Sequence, residues 1–207
     1  SRDWSSDVCS SDLGGALGKG VGPLFVSKKH LHLSELKPEN STIVLPGAYT
    51  TAHLLFHLAH ADFRNKIFLP FDQIEEALIQ GQADAGIIIH ENRFTYAEKG
   101  LHKLEDLGDT WEHTTGFPIP LGGIIAKRHF DLALLRKINR VIKRSLEYAF
   151  QNKSELSAFV KEHAQTMKPE VMQQHIDLYV NEYSLGLGSV GRAAVWKLLE
   201  LSSTLHP

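Results

Sequence analysis

Short apolar runs alternate with amphipathic segments over residues 22–90, and this alternation restricts the fold more than any other feature of the sequence. The runs are of strand length and rich in β-branched and aromatic residues, whereas the intervening segments carry apolar residues at helical spacing. The predicted strands are 22–29, 41–47, 66–71 and 84–90, and the predicted helices are 50–62 and 72–81. Strands joined by helices of this length form βαβ units, so the sequence predicts an α/β fold with a mostly parallel sheet.

The chain changes character after residue 128. Four amphipathic segments follow, and each predicts a helix: 131–151, 154–166, 169–184 and 189–203. Helices with one apolar face normally pack against another layer of secondary structure, but this part of the sequence contains no further predicted strand. We therefore expect these helices to belong to a second lobe whose sheet is encoded N-terminal to this chain.

Composition excludes several classes of protein. The formal net charge of −2 lacks the basic field of a nucleic-acid or membrane-surface binder, and no apolar run reaches the roughly 18 residues of a membrane span. The single cysteine, Cys9, cannot form an internal disulfide or a thiolate zinc site. We expect a cytoplasmic protein that binds a small-molecule substrate and neither nucleic acid nor membrane; a homodimer is compatible with the sequence.

Residues 1–13 differ from the rest of the chain. They contain a near-repeat, WSSDV (4–8) followed by CSSDL (9–13), and show no apolar periodicity. The stretch resembles translated sequencing-adaptor DNA, and such sequence carries no information about the fold. The alternative is a natural Ser/Asp-rich tail. We predict a disordered, non-native tail over 1–13.

The predicted strand 84–90 ends in a histidine, His90, that is followed by polar residues. Ligands of open α/β sheets bind beyond the carboxyl ends of the strands, and an imidazole is suited to proton transfer near neutral pH. Glu91 and Arg93 lie close enough in sequence to orient His90 or to hold an anionic substrate. The structural alternative is a histidine that merely ends a strand at the surface.

A second candidate is the stretch PGAYTTAHLL (46–55), where a Pro-Gly turn leads from a strand into a helix. Thr50 and Thr51 fall at the first positions of this helix, where unpaired backbone N–H groups attract carboxylates and phosphates. Ordinary N-capping by threonine explains the same pattern. Both candidates lie at strand ends of one predicted sheet, which favours a common site.

The sequence favours neither a metal nor a cofactor. His53, His57 and His60 share one helix face at a spacing that zinc can use, but the H-E-x-x-H pattern is missing and polar-face histidines are the better explanation. The glycine-rich stretch 14–22 matches neither a phosphate loop nor a dinucleotide-binding motif.

Five stretches together resemble the 1,4-dihydroxy-6-naphthoate synthase family of the futalosine route to menaquinone. They are GGALGKGVGPLFVSKK, LPGAYTTAHLL, DAGIIIHENRFTYAEKGLHKLEDLG, WEHTTGFPIPLGG and HIDLYVNEYSLGLG. The similarity runs from about Gly14 to near the C-terminus. The combination of IIHENRFTY with PGxxTTA separates this family from the related chorismate dehydratase of the same pathway.

The resemblance implies a periplasmic-binding-protein-like fold of type II, with two α/β lobes joined by crossing strands near 24–29 and 122–127. Residues 29–122 would form a complete α/β lobe that carries the catalytic strand end. Residues 14–28 and 123–207 would be the mostly helical remnant of the other lobe, incomplete because its N-terminal sheet is missing.

The resemblance also implies a reaction. The family converts cyclic dehypoxanthine futalosine to 1,4-dihydroxy-6-naphthoate and releases dihydroxyacetone. His90 would be the general base that starts carbon–carbon cleavage, and Thr50 and Thr51 would contact substrate.

One departure from the family is expected to matter. Members begin with a strand that ends in a Ser-Pro-Cys-Pro-Asn-Asp-like loop and have a second Ser-containing loop facing the substrate, and neither is present in this sequence. We expect this chain by itself to be inactive. The competing interpretation of the whole sequence is a non-catalytic solute-binding protein for a small carboxylate.

Overall fold

The computed structural model describes residues 8–9, 14–127, 129–153, 157–163 and 168–203. The chain divides into two compact units. We call residues 19–119 and 196–207 the sheet unit, and residues 1–18 and 120–195 the helical unit.

The regular elements alternate in the first part of the chain and are mainly helical in the last part. The strands of the described residues are β1 (Val8–Cys9), β2 (Gly15–Gly18), β3 (Leu24–Ser27), β4 (Ile43–Leu45), β5 (Lys66–Phe68), β6 (Ala85–Ile88), β7 (His102–Asp106), β8 (Ile119–Gly123) and β9 (Ala126–Lys127). Their helices are α1 (Thr51–Ala59), α2 (Ile74–Ile79), α3 (Asn92–Thr95), α4 (Leu107–Thr115), α5 (Leu132–Gln151), α6 (Ser157–His163), α7 (Pro169–Tyr179), α8 (Glu182–Leu185) and α9 (Gly188–Ser202).

The sheet unit is built on a five-stranded sheet in the order β5-β4-β6-β3-β7. β4 is parallel to both β5 and β6, whereas β3 is antiparallel to both β6 and β7. Leu24 of β3 therefore faces Ile88 on one side and Asp106 on the other. In this sheet every strand except β3 runs in the same direction, but two of the four pairings are antiparallel. The sheet is therefore mixed, and the predicted parallel pairing holds for β5, β4 and β6.

Both faces of this sheet are covered. A buried cluster on one face joins strand residues to α2, and it contains Leu24, Val26, Val44, Ile74, Leu78, Ala83, Ile88 and Leu101. Phe25 alternates to the opposite face, where its ring lies 5.2 Å from that of Phe56 on α1 and 6.4 Å from that of Phe63. Coverage on both faces explains why β6 has an unbroken apolar run instead of an alternating one.

The helical unit contains a short strand pair, β2 with β8, and most of the late helices. The side-chain amide of Asn181 donates to the carbonyl of Leu17 at 2.7 Å, and the Ser184 hydroxyl donates to the carbonyl of Gly15 at 3.2 Å. The predicted helix 169–184 is two helices, because Val180 has an extended backbone and Asn181 caps α8.

The resemblance implies lobe boundaries at 14–28, 29–122 and 123–207 with a crossing near 24–29, and this division remains a prediction. In the structure β3 lies inside the five-stranded sheet. The chain passes between the units at 18/19, 119/120 and 195/196. The strand pattern of β3 is the same in either lobe, so the sequence alone could not assign it.

Only Val8 and Cys9 of the predicted tail 1–13 are among the described residues. They pair antiparallel with Lys127 and Ala126 of β9, which differs from the disorder that the sequence predicts for them. The rest of this tail lies outside the described residues. Among the described helices, none is both long enough and apolar enough to cross a membrane.

Candidate active site

The candidate residues follow strands whose carboxyl ends meet at one edge of the sheet unit. Val44 is in register with Gly86 of β6, and Leu45 with Phe68 of β5. The segments that leave these three parallel strands therefore start side by side, at the edge where open α/β sheets bind ligands. The sequence prediction that His90 and the Thr50–Thr51 pair share one edge agrees with this register.

His90 has a left-handed backbone, with φ of 58°, and is the only described non-glycine residue with positive φ. This conformation is uncommon for residues with a side chain, although histidine tolerates it better than most. The side chain is exposed, and its ring meets that of Phe71 at a centroid distance of 4.8 Å. The turn that follows β6 thus carries an exposed imidazole that has an aromatic ring on one side.

Phe71 is a site residue that the sequence analysis missed. The predicted strand 66–71 includes it, but β5 ends at Phe68 and Phe71 opens the 3₁₀ turn Phe71–Gln73 that follows Pro70. Pro70 was the available signal, because proline lacks a backbone N–H and commonly ends a strand.

Thr50 is the N-cap of α1. Its hydroxyl oxygen accepts from the backbone N–H of His53 at 3.2 Å, and its hydroxyl hydrogen is donated to the Gly47 carbonyl at 2.9 Å. The Thr50 hydroxyl is therefore used for N-capping, which is the structural alternative to substrate binding. In this geometry it has no hydrogen left to donate to a ligand. Thr51 is the first residue of α1 and half-buried, so it is the better placed of the two to donate to an anion.

Arg93 lies in α3, three residues after His90. Its guanidinium donates from Nη2 to Asp106 Oδ2 at 2.9 Å and from Nη1 to the Gly22 carbonyl. The Arg93 and Asp106 side chains are 13% and 8% exposed, so this ion pair is largely shielded from water. These contacts differ from the substrate clamp that the sequence suggests for Arg93. Asp106 is a second residue that the sequence analysis missed.

Glu91 follows His90 directly and has helical backbone angles of −63° and −22°. Its carbonyl accepts from the backbone N–H of Phe94 at 2.9 Å, which makes it the start of the turn into α3. The side chain is half-buried. A role in orienting the His90 ring remains a prediction.

Two of the three histidines considered for a metal site have protein partners. His53 Nδ1 lies 2.8 Å from the Ala48 carbonyl, which only accepts, so Nδ1 carries the proton and Nε2 can accept from Lys66 at 3.3 Å. His60 Nε2 lies 2.6 Å from a carboxylate oxygen of Glu105. Burial and the nearby Lys66 charge lower the pKa of His57.

The His60–Glu105 contact also affects the carboxylate. The hydrogen bond from His60 lowers the pKa of Glu105, and burial opposes this shift only in part. The hydroxyl of Thr110 donates to the other carboxylate oxygen and lowers the pKa further. This network ties α1 to β7 and α4 within the sheet unit.

Comparison with known proteins identifies the family. The sequence model of the menaquinone biosynthesis family matches residues 6–204. A 1,4-dihydroxy-6-naphthoate synthase of Streptomyces coelicolor is 42% identical over 202 residues, which cover 95% of this chain and 69% of the relative. The chain belongs to the 1,4-dihydroxy-6-naphthoate synthase family. The predicted family membership is thereby confirmed, and the chain spans about two thirds of that relative's length.

Solved structures agree with this family's α/β fold. Protein AF1704 of Archaeoglobus fulgidus is 30% identical and superposes with a TM-score of 0.87, covering 97% of this chain and 74% of that one. The periplasmic aliphatic sulphonate binding protein SsuA of Escherichia coli, at 14% identity, has a TM-score of 0.63 and covers 95% of this chain and 65% of its own. The predicted α/β, periplasmic-binding-protein-like fold class is confirmed.

Proposed function

We propose that this chain carries the catalytic strand end of a lyase that converts cyclic dehypoxanthine futalosine to 1,4-dihydroxy-6-naphthoate and dihydroxyacetone. The observation that carries the proposal is His90, an exposed imidazole at the carboxyl edge of a parallel sheet in a member of this family. A surface histidine that only ended a strand would have no need of the uncommon left-handed backbone.

In this proposal His90 is the general base. Its imidazole accepts the proton whose removal starts carbon–carbon cleavage, a step for which histidine is suited because its usual titration range lies near neutral pH. Phe71 packs against one side of the ring, so a substrate cannot approach from that side. Proton removal by an imidazole requires no cofactor.

The first turn of α1 is the proposed contact for the carboxylate that becomes part of the naphthoate product. The backbone N–H groups at the start of a helix carry partial positive charge and favour anions. Thr51 adds a hydroxyl at this point, whereas Thr50 shapes the turn by capping it. The two threonines thereby have different roles.

The function is tested by incubating the longest product of the gene that contains this sequence with cyclic dehypoxanthine futalosine. We expect 1,4-dihydroxy-6-naphthoate and dihydroxyacetone to appear in equal amounts by mass spectrometry. His90→Ala in the same protein should form almost no product. The matched control is His113→Ala, which removes an exposed histidine on α4 and should leave turnover unchanged. Tight binding of substrate without product would favour the solute-binding interpretation and overturn the proposal.

A further inference from the structure

The left-handed backbone of His90 requires support from its surroundings. A residue with a Cβ in this region is strained, and such conformations persist only where neighbouring structure fixes them. The local link is weak, because the backbone N–H of Arg93 donates to the His90 carbonyl at a long 3.4 Å. Stronger contacts must therefore come from outside the turn.

The Arg93 side chain supplies such contacts. It crosses from the turn after β6 to two other segments, ending on Asp106 Oδ2 at 2.9 Å and on the Gly22 carbonyl. Gly22 precedes β3 and Asp106 ends β7, and β3 lies between β6 and β7 in the sheet. One guanidinium thus joins the ends of three neighbouring strands.

The segments that receive Arg93 are themselves fixed. Asp106 Oδ1 accepts from the Gly108 backbone N–H at 2.9 Å, and the Leu107 N–H donates to the Pro23 carbonyl at 3.0 Å. The Gly22 and Gly108 backbones touch so closely that a Cβ on Gly22 would lie 2.2 Å from the Cα of Gly108. These contacts fix the positions of Gly22 and Asp106, so the Arg93 guanidinium that binds both of them is fixed as well.

We propose that Arg93 and Asp106 are positioning residues that hold the turn of His90 in its left-handed conformation and keep its ring against Phe71. The inference rests on the proposed function of His90 as the base. It assigns Arg93 to alignment of the base and not to the substrate. The charge of Arg93 is balanced by Asp106, so the pair adds no net charge to the site.

Three variants test this role, and these and all later variants are made in the longest product of the gene. Asp106→Asn removes the acceptor charge, Arg93→Lys keeps the charge but loses the forked geometry, and the double variant Arg93→Met/Asp106→Asn removes both charges. The double variant leaves no buried unpaired ion, so it should fold even if a single variant does not. Lys99→Met is the control, because it breaks a different ion pair of the sheet unit, Nζ to Glu75 Oε2 at 2.5 Å, whose carboxylate is 4% exposed.

Measurement of kcat distinguishes a positioning role of Arg93 and Asp106 from a role in stability alone. We expect kcat to fall about 10- to 100-fold in the double variant with KM changed less than about twofold, because a small misplacement of a reacting group costs about this much. Arg93→Lys should retain part of the rate. Lys99→Met should lower the melting temperature and leave kcat unchanged. A double variant with wild-type kcat would overturn the proposal.

A spectroscopic measurement keeps the inference independent of activity. With isotope labelling of histidine only, the His90 Cα, Cβ and ring resonances are assigned as those that disappear in His90→Ala. They report the left-handed backbone and the contact with the Phe71 ring directly. We expect them to move in Arg93→Lys and in the double variant but not in Lys99→Met. Unchanged resonances would overturn the positioning role. Shifted resonances in a protein that makes no product would uphold it and reject the proposed function instead.

Discussion

Phe71 and His90 meet edge-on, with 4.8 Å between their ring centroids and 62° between their planes, although they follow strands that are not neighbours. Phe71 follows β5 and His90 follows β6, and β4 lies between these strands. Two strand spacings separate β5 from β6, about 10 Å. The aromatic contact therefore crosses the carboxyl end of β4, beside the loop that leads to Thr51.

Replacing Phe71 by alanine should remove the aromatic ring that packs against the His90 imidazole. An aromatic pair of this kind contributes about 0.5–1.5 kcal/mol, so we expect kcat/KM to fall about 2- to 13-fold. Phe68→Ala is the matched control, because Phe68 is an exposed aromatic on β5 that packs on His53. Steady-state kinetics of both variants provide the check. Equal losses in the two would show that the contact with His90 is not what matters.

Replacing His90 by glycine should leave a more stable protein than replacing it by alanine. At φ of 58° glycine is unstrained and alanine is strained. We therefore expect the free energy of unfolding of the glycine variant to be about 1 kcal/mol higher than that of the alanine variant. Urea denaturation with equal m-values gives the comparison. If the alanine variant were the more stable of the two, the left-handed backbone of His90 would not exist in solution.

The two threonines of α1 should respond differently to substitution. Thr50→Ala removes the cap to the His53 N–H and should cost about 1 kcal/mol of stability, whereas Thr50→Ser should restore most of it. Thr51→Val should raise KM with little loss of stability. Melting temperatures and KM values of the three variants are compared. A stability loss in Thr51→Val without any change in KM would reject the assignment of Thr51 to the substrate.

Stability should depend on pH through Glu105. Its pKa is lowered in the folded protein by the His60 hydrogen bond, so its contribution is present above the ordinary value of 4.5 and is lost as the pH falls through the lower folded value. Glu105→Gln should therefore be less stable than wild type near pH 6, with the difference shrinking below about pH 4.5. Thermal melts across pH 3.5–7 test this. A difference that is independent of pH would contradict it.

The sequence could predict those parts of the fold in which the pattern of apolar residues matches their burial in the structure. Ile87 and Ile88 form a continuous apolar run because both sheet faces are covered there, and the run leads directly to His90. The predicted strand 84–90 contains β6 for this reason, whereas the role of His90 stays a prediction. α5 begins within one residue of its predicted start because Asp131 caps it.

Other features carry no signal in the local sequence. The residues Leu24–Ser27 predict a strand but say nothing of its direction, so the antiparallel β3 was not expected. β7 has the sequence HKLED and lies at a sheet edge, where alternation with charged residues hides the strand. The Arg93–Asp106 pair joins residues 13 positions apart in sequence, and only the arrangement of the sheet brings them together.

The most direct test of the account is chemical rescue of His90→Gly by added imidazole. The variant leaves a space beside Phe71 and removes the base, while glycine suits the left-handed backbone. We predict that it makes almost no 1,4-dihydroxy-6-naphthoate from cyclic dehypoxanthine futalosine, and that free imidazole restores product formation in proportion to its concentration. Product formation at the wild-type rate by His90→Gly without imidazole would contradict the assignment of His90 as the base.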